Sequence, residues 1–486
     1  MGFKSLMSLP PATPDSAGVQ PLAAGFAPAS EADWAALVQK TLKGESVESL
    51  TRRTIEGLPI QPLYQQAAPA AFAPKTAAGW DIRTLVRNPT AVGANVEALQ
   101  DLANGAVSTL IRIDPEGAEG VAVGSAEGLA QVLDGVLLDV APVALDAGFL
   151  GARAADWLAA AAKGAPSAPL ALHMDPLSAF ARGGASPGPM EAHLIACAGV
   201  GARLAEPYPK ATLFLASGRV AHEAGGGEAL ELAVAAAAAL AYAKALTRAA
   251  LPHGQAFERI VLGLALDADY FLTIAKLRAA RVVWSKIAGA CGVDWPAKIE
   301  ARSSGRMLTR ADAWNNMIRL TAAGLAGAAG GADAVVLGTF TDALGAPTAF
   351  ARRQARNTQL ILMEEANLGR VADPAAGCAY LETLTDELAR AAWDRFQAIE
   401  AAGGLIAALE SGLVAREVEA ARAELRTRIA QRQLKVLGVT DFAPTEERPA
   451  PVASFTPTQV SAPSPRLPGP DSHCPPLEPI RLEDLA

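Results

Sequence analysis

The sequence predicts an α/β protein built on a (β/α)8 TIM barrel, carrying an extended N-terminal arm and a Pro-rich C-terminal tail. Three observations predict it. From Trp80 onward, short apolar runs of strand length alternate with longer alanine-rich runs of helix length, the pattern of repeated βα units on a parallel sheet. The alternation persists over a length that suits a barrel, typically about 250 residues. Hydrophobic residues make up 51% of the 486, enough for a large core, with alanine inflating the fraction and favouring helix. A doubly wound sheet shares this periodicity, so pattern alone leaves both architectures open.

Residues 1–79 read as an arm, a helix and a linker. The stretch before Ser30 is rich in Pro, Ala and Gly and reads as extended. Ser30-Glu31-Ala32-Asp33 has the Ser-x-x-acid spacing of a helix start, and the helix runs through Trp34 and Leu37 to Leu42. Leu50–Gln66 mixes β-branched residues with Gly and Pro and reads as a short hairpin or extended segment; Ala67–Gly79 is a Pro/Ala linker. Residues 80–385 hold the barrel. Candidate strands are Ser108–Ile113, Val136–Val140, Pro169–Met174, Ala211–Ala216, Ile260–Leu266 and Ala334–Gly338, separated by helical stretches such as Asn95–Leu102 and Glu228–Leu246. Residues 386–442 complete a set of charged helices over Glu382–Glu400 and Val414–Gln433. Residues 443–486 read as a linker or disordered tail, because Thr445–Ala486 is dense in Pro and Ser.

Composition excludes several function classes. The net charge is -8, without the basic stripe of a nucleic-acid binder. The most apolar stretch, Glu231–Leu246, is short, dominated by alanine and ends near charge, so it reads as a buried helix and not a membrane span. The N-terminal MGFKSLMSLPPATP lacks the apolar core of a signal peptide, and a cytoplasmic location is expected. Cys197, Cys291, Cys378 and Cys474 form no CxxC pair, and none of the five histidines pairs at metal-binding spacing. No protein-ligated metal is expected. Gly184-Ala185-Ser186-Pro187-Gly188 matches GxSxG in letters, but its prolines read as a loop and not a nucleophile elbow. Gly225–Gly227 runs into Glu228, and Gly199-Val200-Gly201 reaches Leu204 where a dinucleotide fingerprint needs a small residue; both read as turns. Asp471-Ser472-His473 opens like a cobalamin-ligating Asp-x-His motif, but Pro476 stands where its glycine belongs and too little chain follows for a corrinoid-holding domain.

Longer collinear runs carry a stronger signal. They are IQPLY at Ile60–Tyr64, WDIRTL at Trp80–Leu85, YFLTIAKLRAARVVW at Tyr270–Trp284, SSGRMLTRADAWNN at Ser303–Asn316, APTAFARRQARNTQLILMEE at Ala346–Glu365 and DPAAGCAYLETLT at Asp373–Thr385. Over Leu50 to Phe442 the chain resembles the adenosylcobalamin-dependent acyl-CoA mutase family, and the small subunits of methylmalonyl-CoA mutase in particular. The resemblance implies a barrel whose axis admits an acyl-CoA ester and whose C-terminal face meets a corrinoid. It also implies isomerase chemistry, the interconversion of succinyl-CoA and methylmalonyl-CoA, started by homolysis of the cobalt–carbon bond.

The positions that would serve this chemistry are degraded. The family's active-site tyrosine falls on Leu85. Its GYHMQEAGA becomes Gly218-Arg219-Val220-Ala221-His222-Glu223-Ala224-Gly225-Gly226, so the histidine for the substrate carbonyl falls on Val220, with His222 two positions on. A substrate-binding glutamine falls on His173, a corrinoid-contacting glutamine on Arg302 and a corrinoid-facing glutamate on Asp342. Arg259 matches a substrate-side arginine, and reads equally as a retained salt-bridge residue. The family's RGPYPTMY-type loop is absent, since Gln65–Pro74 is mostly Ala and Pro. A positioned acid–base group is worth about 10² to 10⁴ in rate, so losing two at one centre implies a chain without catalysis of its own. The substrate-pocket-like residues are then His173, His222 and Arg259, and the corrinoid-face-like ones Arg302 and Asp342. Lys276, Arg278 and Arg281 read as surface or interface ion pairs. The implied partner is a catalytic large subunit that carries the adenosylcobalamin, with no cofactor on this chain alone. The alternative is the substrate-barrel subunit of a split acyl-CoA mutase.

Overall fold

The computed structural model describes residues 25, 27, 29–65, 67–69, 72, 74–446 and 448–486. The arm expected before Ser30 lies almost wholly outside them. The chain divides into two compact units, Met1–Arg52 with Pro59–Pro62, and Arg53–Leu58 with Leu63–Ala486. The first holds a helix over Glu31–Thr41, started as expected by a reciprocal cap: the Ser30 hydroxyl accepts from the Asp33 amide, and the Asp33 carboxylate accepts from the Ser30 amide at 2.9 Å.

The second unit is the (β/α)8 barrel. Its strands are β1 (Asp81–Val86), β2 (Ser108–Arg112), β3 (Val143–Asp146), β4 (Ala171–Met174), β5 (Thr212–Ser217), β6 (Ile260–Leu266), β7 (Ile299–Ser303) and β8 (Ala334–Val336). All neighbours pair in parallel, and β8 pairs with both β7 and β1, which closes the sheet. Closure decides between the two architectures that periodicity left open.

Two strands depart from the sequence reading. Val136–Val140 is a surface turn, with Leu137 70% and Val140 74% exposed, and the strand is the next apolar run, Val143–Asp146. Pro142 separates them; it lacks an N–H but its carbonyl accepts from the Thr109 amide at 3.1 Å, as a residue at a strand's edge can. The segment β7 reads IEARS, so no apolar run marks it: Glu300 and Arg302 alternate toward the barrel axis, where side chains of a strand point every second residue.

The helices bury what the sequence placed on a surface. On the helix Tyr270–Ala290, Lys276, Arg278 and Arg281 are all buried. Lys276 pairs with Glu231 at 2.7 Å, Arg278 with Asp373 at 3.0 Å and Glu382 at 2.8 Å, and Arg281 with Asp333 at 3.2 Å. The helix Ala349–Leu360 passes into a π-turn at Ile361–Glu365. Its side chains clamp it to the start of the barrel: Arg356 pairs with Asp101 at 2.5 Å, and Gln359 accepts from the Trp80 indole at 2.9 Å. Among the described residues one helix, Glu228–Arg248, is long and apolar enough to cross a membrane, and most of it is buried against the helices Ala379–Ala401 and Tyr270–Ala290.

The Pro/Ser-rich segment corrects the expectation of a linker or disordered tail. It forms almost no regular structure, yet it is bonded along its length to the loops and short helices that follow the strands. The amide of Ala453 donates to Ala346 O, Val460 to Pro115 O, Leu467 to Pro187 O, Cys474 to Gly184 O, Leu477 to Ala181 O, Ile480 to Glu223 O and Leu482 to Arg306 O, all at 2.8–2.9 Å. Leu477 is buried beneath it. An extended chain rich in proline keeps its remaining amides free of internal bonds, so they can pair with loop carbonyls. Composition therefore reported the lack of helix and sheet, and not the lack of a place.

Candidate functional site

The strands of a barrel deliver their last side chains to the C-terminal face, where function concentrates in this architecture. Here that face opens into a cavity of about 1100 Å³. Leu85, His173, Val220, Arg302 and Asp342 all line it, so five positions far apart in sequence meet at one mouth. The tail supplies part of its wall through Phe455, Leu477 and Arg481.

Below the mouth the axis is filled. Leu110, Ala144, Ala171 and Val336 pack against one another and against Leu85. A ladder of charge crosses the lumen beside them. Arg83 on β1 meets Glu300 on β7 at 2.5 Å; Arg302 on β7 meets Glu300 at 2.6 Å and reaches Asp146 on β3 at 3.0 Å. Arg112 on β2 approaches Asp146 at 3.4 Å, and His173 Nδ1 on β4 lies 3.5 Å from Glu300. Burial pushes the Glu300 carboxyl up, but Arg302, His173 and Arg83 override it and hold it well below the usual carboxylate range. Burial likewise pushes Asp146 up, and Arg112 and Arg302 override that. His173 goes the other way: burial pulls it to about 4 against the attraction of Glu300, so the imidazole is neutral at pH 7. Its backbone is left-handed at φ 46°, where the β4–β5 register shifts.

Two acids at the mouth, Asp342 and Asp175, are committed locally. Asp342 accepts from Arg87 at 2.6 Å and from the Thr339 hydroxyl at 2.5 Å. Asp175 accepts from Tyr242 at 2.6 Å and from the Ser178 amide at 3.1 Å, and burial still raises it to about 6. Leu85 and Val220 offer the cavity no donor or acceptor.

His222 and Arg259 do not belong to this mouth, and their assignment to a substrate pocket is corrected by their placement. His222 is fully buried behind β5 and β6, with Nδ1 3.1 Å from Glu231 and Nε2 3.3 Å from Asp267. Lys276 and Arg306 complete that cluster, Arg306 at 2.9 Å from Asp267. Arg259 precedes β6 at the opposite face and donates to Tyr208 O at 3.1 Å and Ala211 O at 2.8 Å. Sequence reasoning missed Arg112, Asp146, Arg219 and Glu300. For Arg112 and Asp146 the signal was a charged residue closing a short apolar run; Glu300 sits in a strand with no apolar run and Arg219 in a short helix after β5, and neither carried one.

The residues present do not fit a corrinoid at this face. Arg302 and Asp342 are engaged below and beside the cavity, and tail residues stand on its rim. Asp471 pairs with Arg466 at 2.9 Å and accepts from the Gly188 amide, while His473 sits in a bridge with Ala185, inside the tail's docking contacts. Among the described residues no group of three or more His, Cys, Asp or Glu side chains is arranged to hold a metal ion.

Comparison with known proteins agrees with these features. Residues 76–464 match the sequence family described as Methylmalonyl-CoA mutase. The chain is 41% identical over 466 residues to a methylmalonyl-CoA mutase small subunit of Streptomyces virginiae, covering 89% of this chain and 74% of the relative. It is 33% identical over 455 residues to a small subunit of Propionibacterium freudenreichii subsp. shermanii, covering 87% and 70%. A large subunit of Streptomyces virginiae is 29% identical over 464 residues, covering 87% and 63%. The match spans the barrel, the helices that follow it and the first half of the tail, and the chain therefore belongs to the methylmalonyl-CoA mutase family, whose members are adenosylcobalamin-dependent isomerases.

Proposed function

We propose that this chain is the small subunit of a heterodimeric methylmalonyl-CoA mutase and acts as its scaffold, while a large subunit binds the acyl-CoA ester and adenosylcobalamin. The observation that carries this reading is the occupied axis. An acyl-CoA chain threaded through the barrel would have to displace Leu110 and the Arg83–Glu300–Arg302 ladder. Breaking a buried ion pair by removing or moving one partner costs about 3–5 kcal/mol, which a flexible pantetheine gains nothing to offset. Leu85 and Val220 support the same reading, because neither can hydrogen-bond a thioester carbonyl. Two small-subunit relatives of high coverage, with a large subunit known beside one of them in Streptomyces virginiae, support a large-subunit partner.

Co-expression with a cognate large subunit tests this. The two chains are expected to co-purify, and turnover of the complex is expected to stay within about twofold when His173→Gln or Asp342→Asn is introduced here. A loss of tenfold or more from either substitution, at unchanged complex stability, would make this barrel a working site and overturn the scaffold reading.

A further inference from the structure

The mouth of the barrel carries more hydrogen-bond donors than the chain itself uses. Arg112, Arg219 and Arg302 line the same cavity, gathered around Asp146. A guanidinium has five N–H donors. Arg302 is 6% exposed; it spends Nε on Glu300 and Nη1 on Asp146, and its buried Nη2 has no partner among the described residues. Arg219 spends Nη2 on Glu223 at 3.3 Å, and its buried Nε is likewise without a partner among them. Arg112 makes a single long contact, 3.4 Å to Asp146. Burial first, and then the positive charge of Arg302, pulls the Arg219 guanidinium below its ordinary value, against Glu223 and Asp146, which raise it.

The tail sharpens the imbalance. The residues it sets on the cavity wall include no carboxylate, but they include Arg481, whose buried Nε also has no partner among the described residues. Of the acids that share the cavity, Asp146 faces Arg112 and Arg302, Asp175 accepts from Tyr242, Glu119 lies 3.6 Å from Arg182, and the others have further partners. Glu223 accepts from the amide of Gly305, Asp114 from the amides of Glu116 and Ala118, and Asp342 from Arg87. Nor is the arrangement inherited from a mutase active site, since Arg302 stands where the family resemblance sets a glutamine.

We propose that the mouth binds a small oxyanion, the carboxylate or phosphate group of an organic acid, between Arg219 and Arg302 with Arg112 as a third donor. Planar guanidinium groups match both oxyanions in bidentate geometry. The cavity, at about 1100 Å³, leaves room for the organic part of such a ligand. The site is a binding site on the scaffold subunit and needs no turnover there, so it stands or falls apart from the scaffold reading.

The test is isothermal titration of the full chain with glutarate and, separately, inorganic phosphate. Saturable binding of at least one is expected; glutarate alone identifies a carboxylate ligand, phosphate alone a phosphoryl one. Arg219→Gln and Arg112→Gln are each expected to weaken binding about tenfold or more, the worth of one charge-assisted hydrogen bond. Arg182→Gln serves as the control: Arg182 is 55% exposed at the rim, 3.6 Å from Glu119, and binding should change less than twofold. If one arginine variant fails to fold, the other carries the same reading. No saturable heat from either anion, or binding that survives both Arg219→Gln and Arg112→Gln, overturns the proposal.

Discussion

Lys276→Met tests how the interior charges are held. Lys276 Nζ lies 2.7 Å from Glu231 Oε2, and both side chains are fully buried. Burial pushes Glu231 up, but Lys276 and then His222 override it and hold it at about 2. At an effective dielectric of about 20 the pair attracts by roughly 6 kcal/mol. The variant does not lose all of that, because Glu231 can take up a proton. From its ordinary value of 4.5, protonation at pH 7 costs about 3.4 kcal/mol, at 1.36 kcal/mol per unit. The loss at pH 7 is therefore expected at about 3 kcal/mol, inside the range for broken buried pairs. The sign of its pH dependence follows. Because the penalty is the cost of protonating Glu231, it shrinks as pH falls, to about 1.4 kcal/mol at pH 5.5. In the parent the folded value lies below 4.5, so its contribution is constant across this window. Urea unfolding followed by tryptophan fluorescence at both pH values measures the difference. The double variant with Glu231→Gln removes both charges and should recover most of the loss. A single-variant loss below about 1 kcal/mol, a loss that does not shrink at pH 5.5, or a double variant no more stable than Lys276→Met would refute the argument.

Three further outcomes are expected. Burial, Arg306 and Lys276 pull His222 down, yet Glu231 and Asp267 together raise it above its ordinary 6.5. Its stabilisation is thus complete below pH 6.5 and lost as pH rises through the folded value. The stability gap between parent and His222→Gln should be widest near pH 6 and narrow on the alkaline side, and a gap that does not change with pH counts against it. Arg356→Ala, which strips Asp101 of its 2.5 Å partner, should cost about 3 kcal/mol in a denaturant titration; a loss under 1 kcal/mol would show that Arg352, at 3.9 Å, suffices. Thiol labelling of the native protein should consume Cys291 and Cys378 quickly and spare Cys197 and Cys474, which are buried. Burial, and then Glu410, raises the Cys474 thiol to about 11, so its labelling rate reports tail release; prompt labelling of Cys474 in native protein would mean the tail is not docked.

Much of the fold was legible where side chains follow a single rule. The strand Ile260–Leu266 is apolar at every position because both its faces are buried, and the run showed it. The cap at Ser30 was readable because its chemistry is local. The strand Ile299–Ser303 was not, since its inward face carries Glu300 and Arg302, whose partners on β1, β3 and β4 lie far away in sequence. The same distance hid the burial of Lys276, Arg278 and Arg281: a cation on a helix reads as surface until the tertiary partner is known. Of the candidate site, Leu85, His173, Val220, Arg302 and Asp342 do converge, because the resemblance carried strand ends, and strand ends share one face of a barrel. His222 and Arg259 were misassigned since two positions along a turn, or the other end of a strand, reach different surroundings.

The axial ladder has a further consequence, for how the sheet finds its alignment. Alanine-rich strands and helices distinguish poorly between one pairing and the next, since small side chains leave few shapes to interlock. Glu300 facing Arg83, and Arg302 facing Asp146, act as an address. Sliding β7 by two residues against β6 and β8 would keep every apolar side chain on its proper face, yet it would strand buried charges at several kcal/mol each. The charges that fill the barrel axis thereby also select one closure of the sheet over its near neighbours.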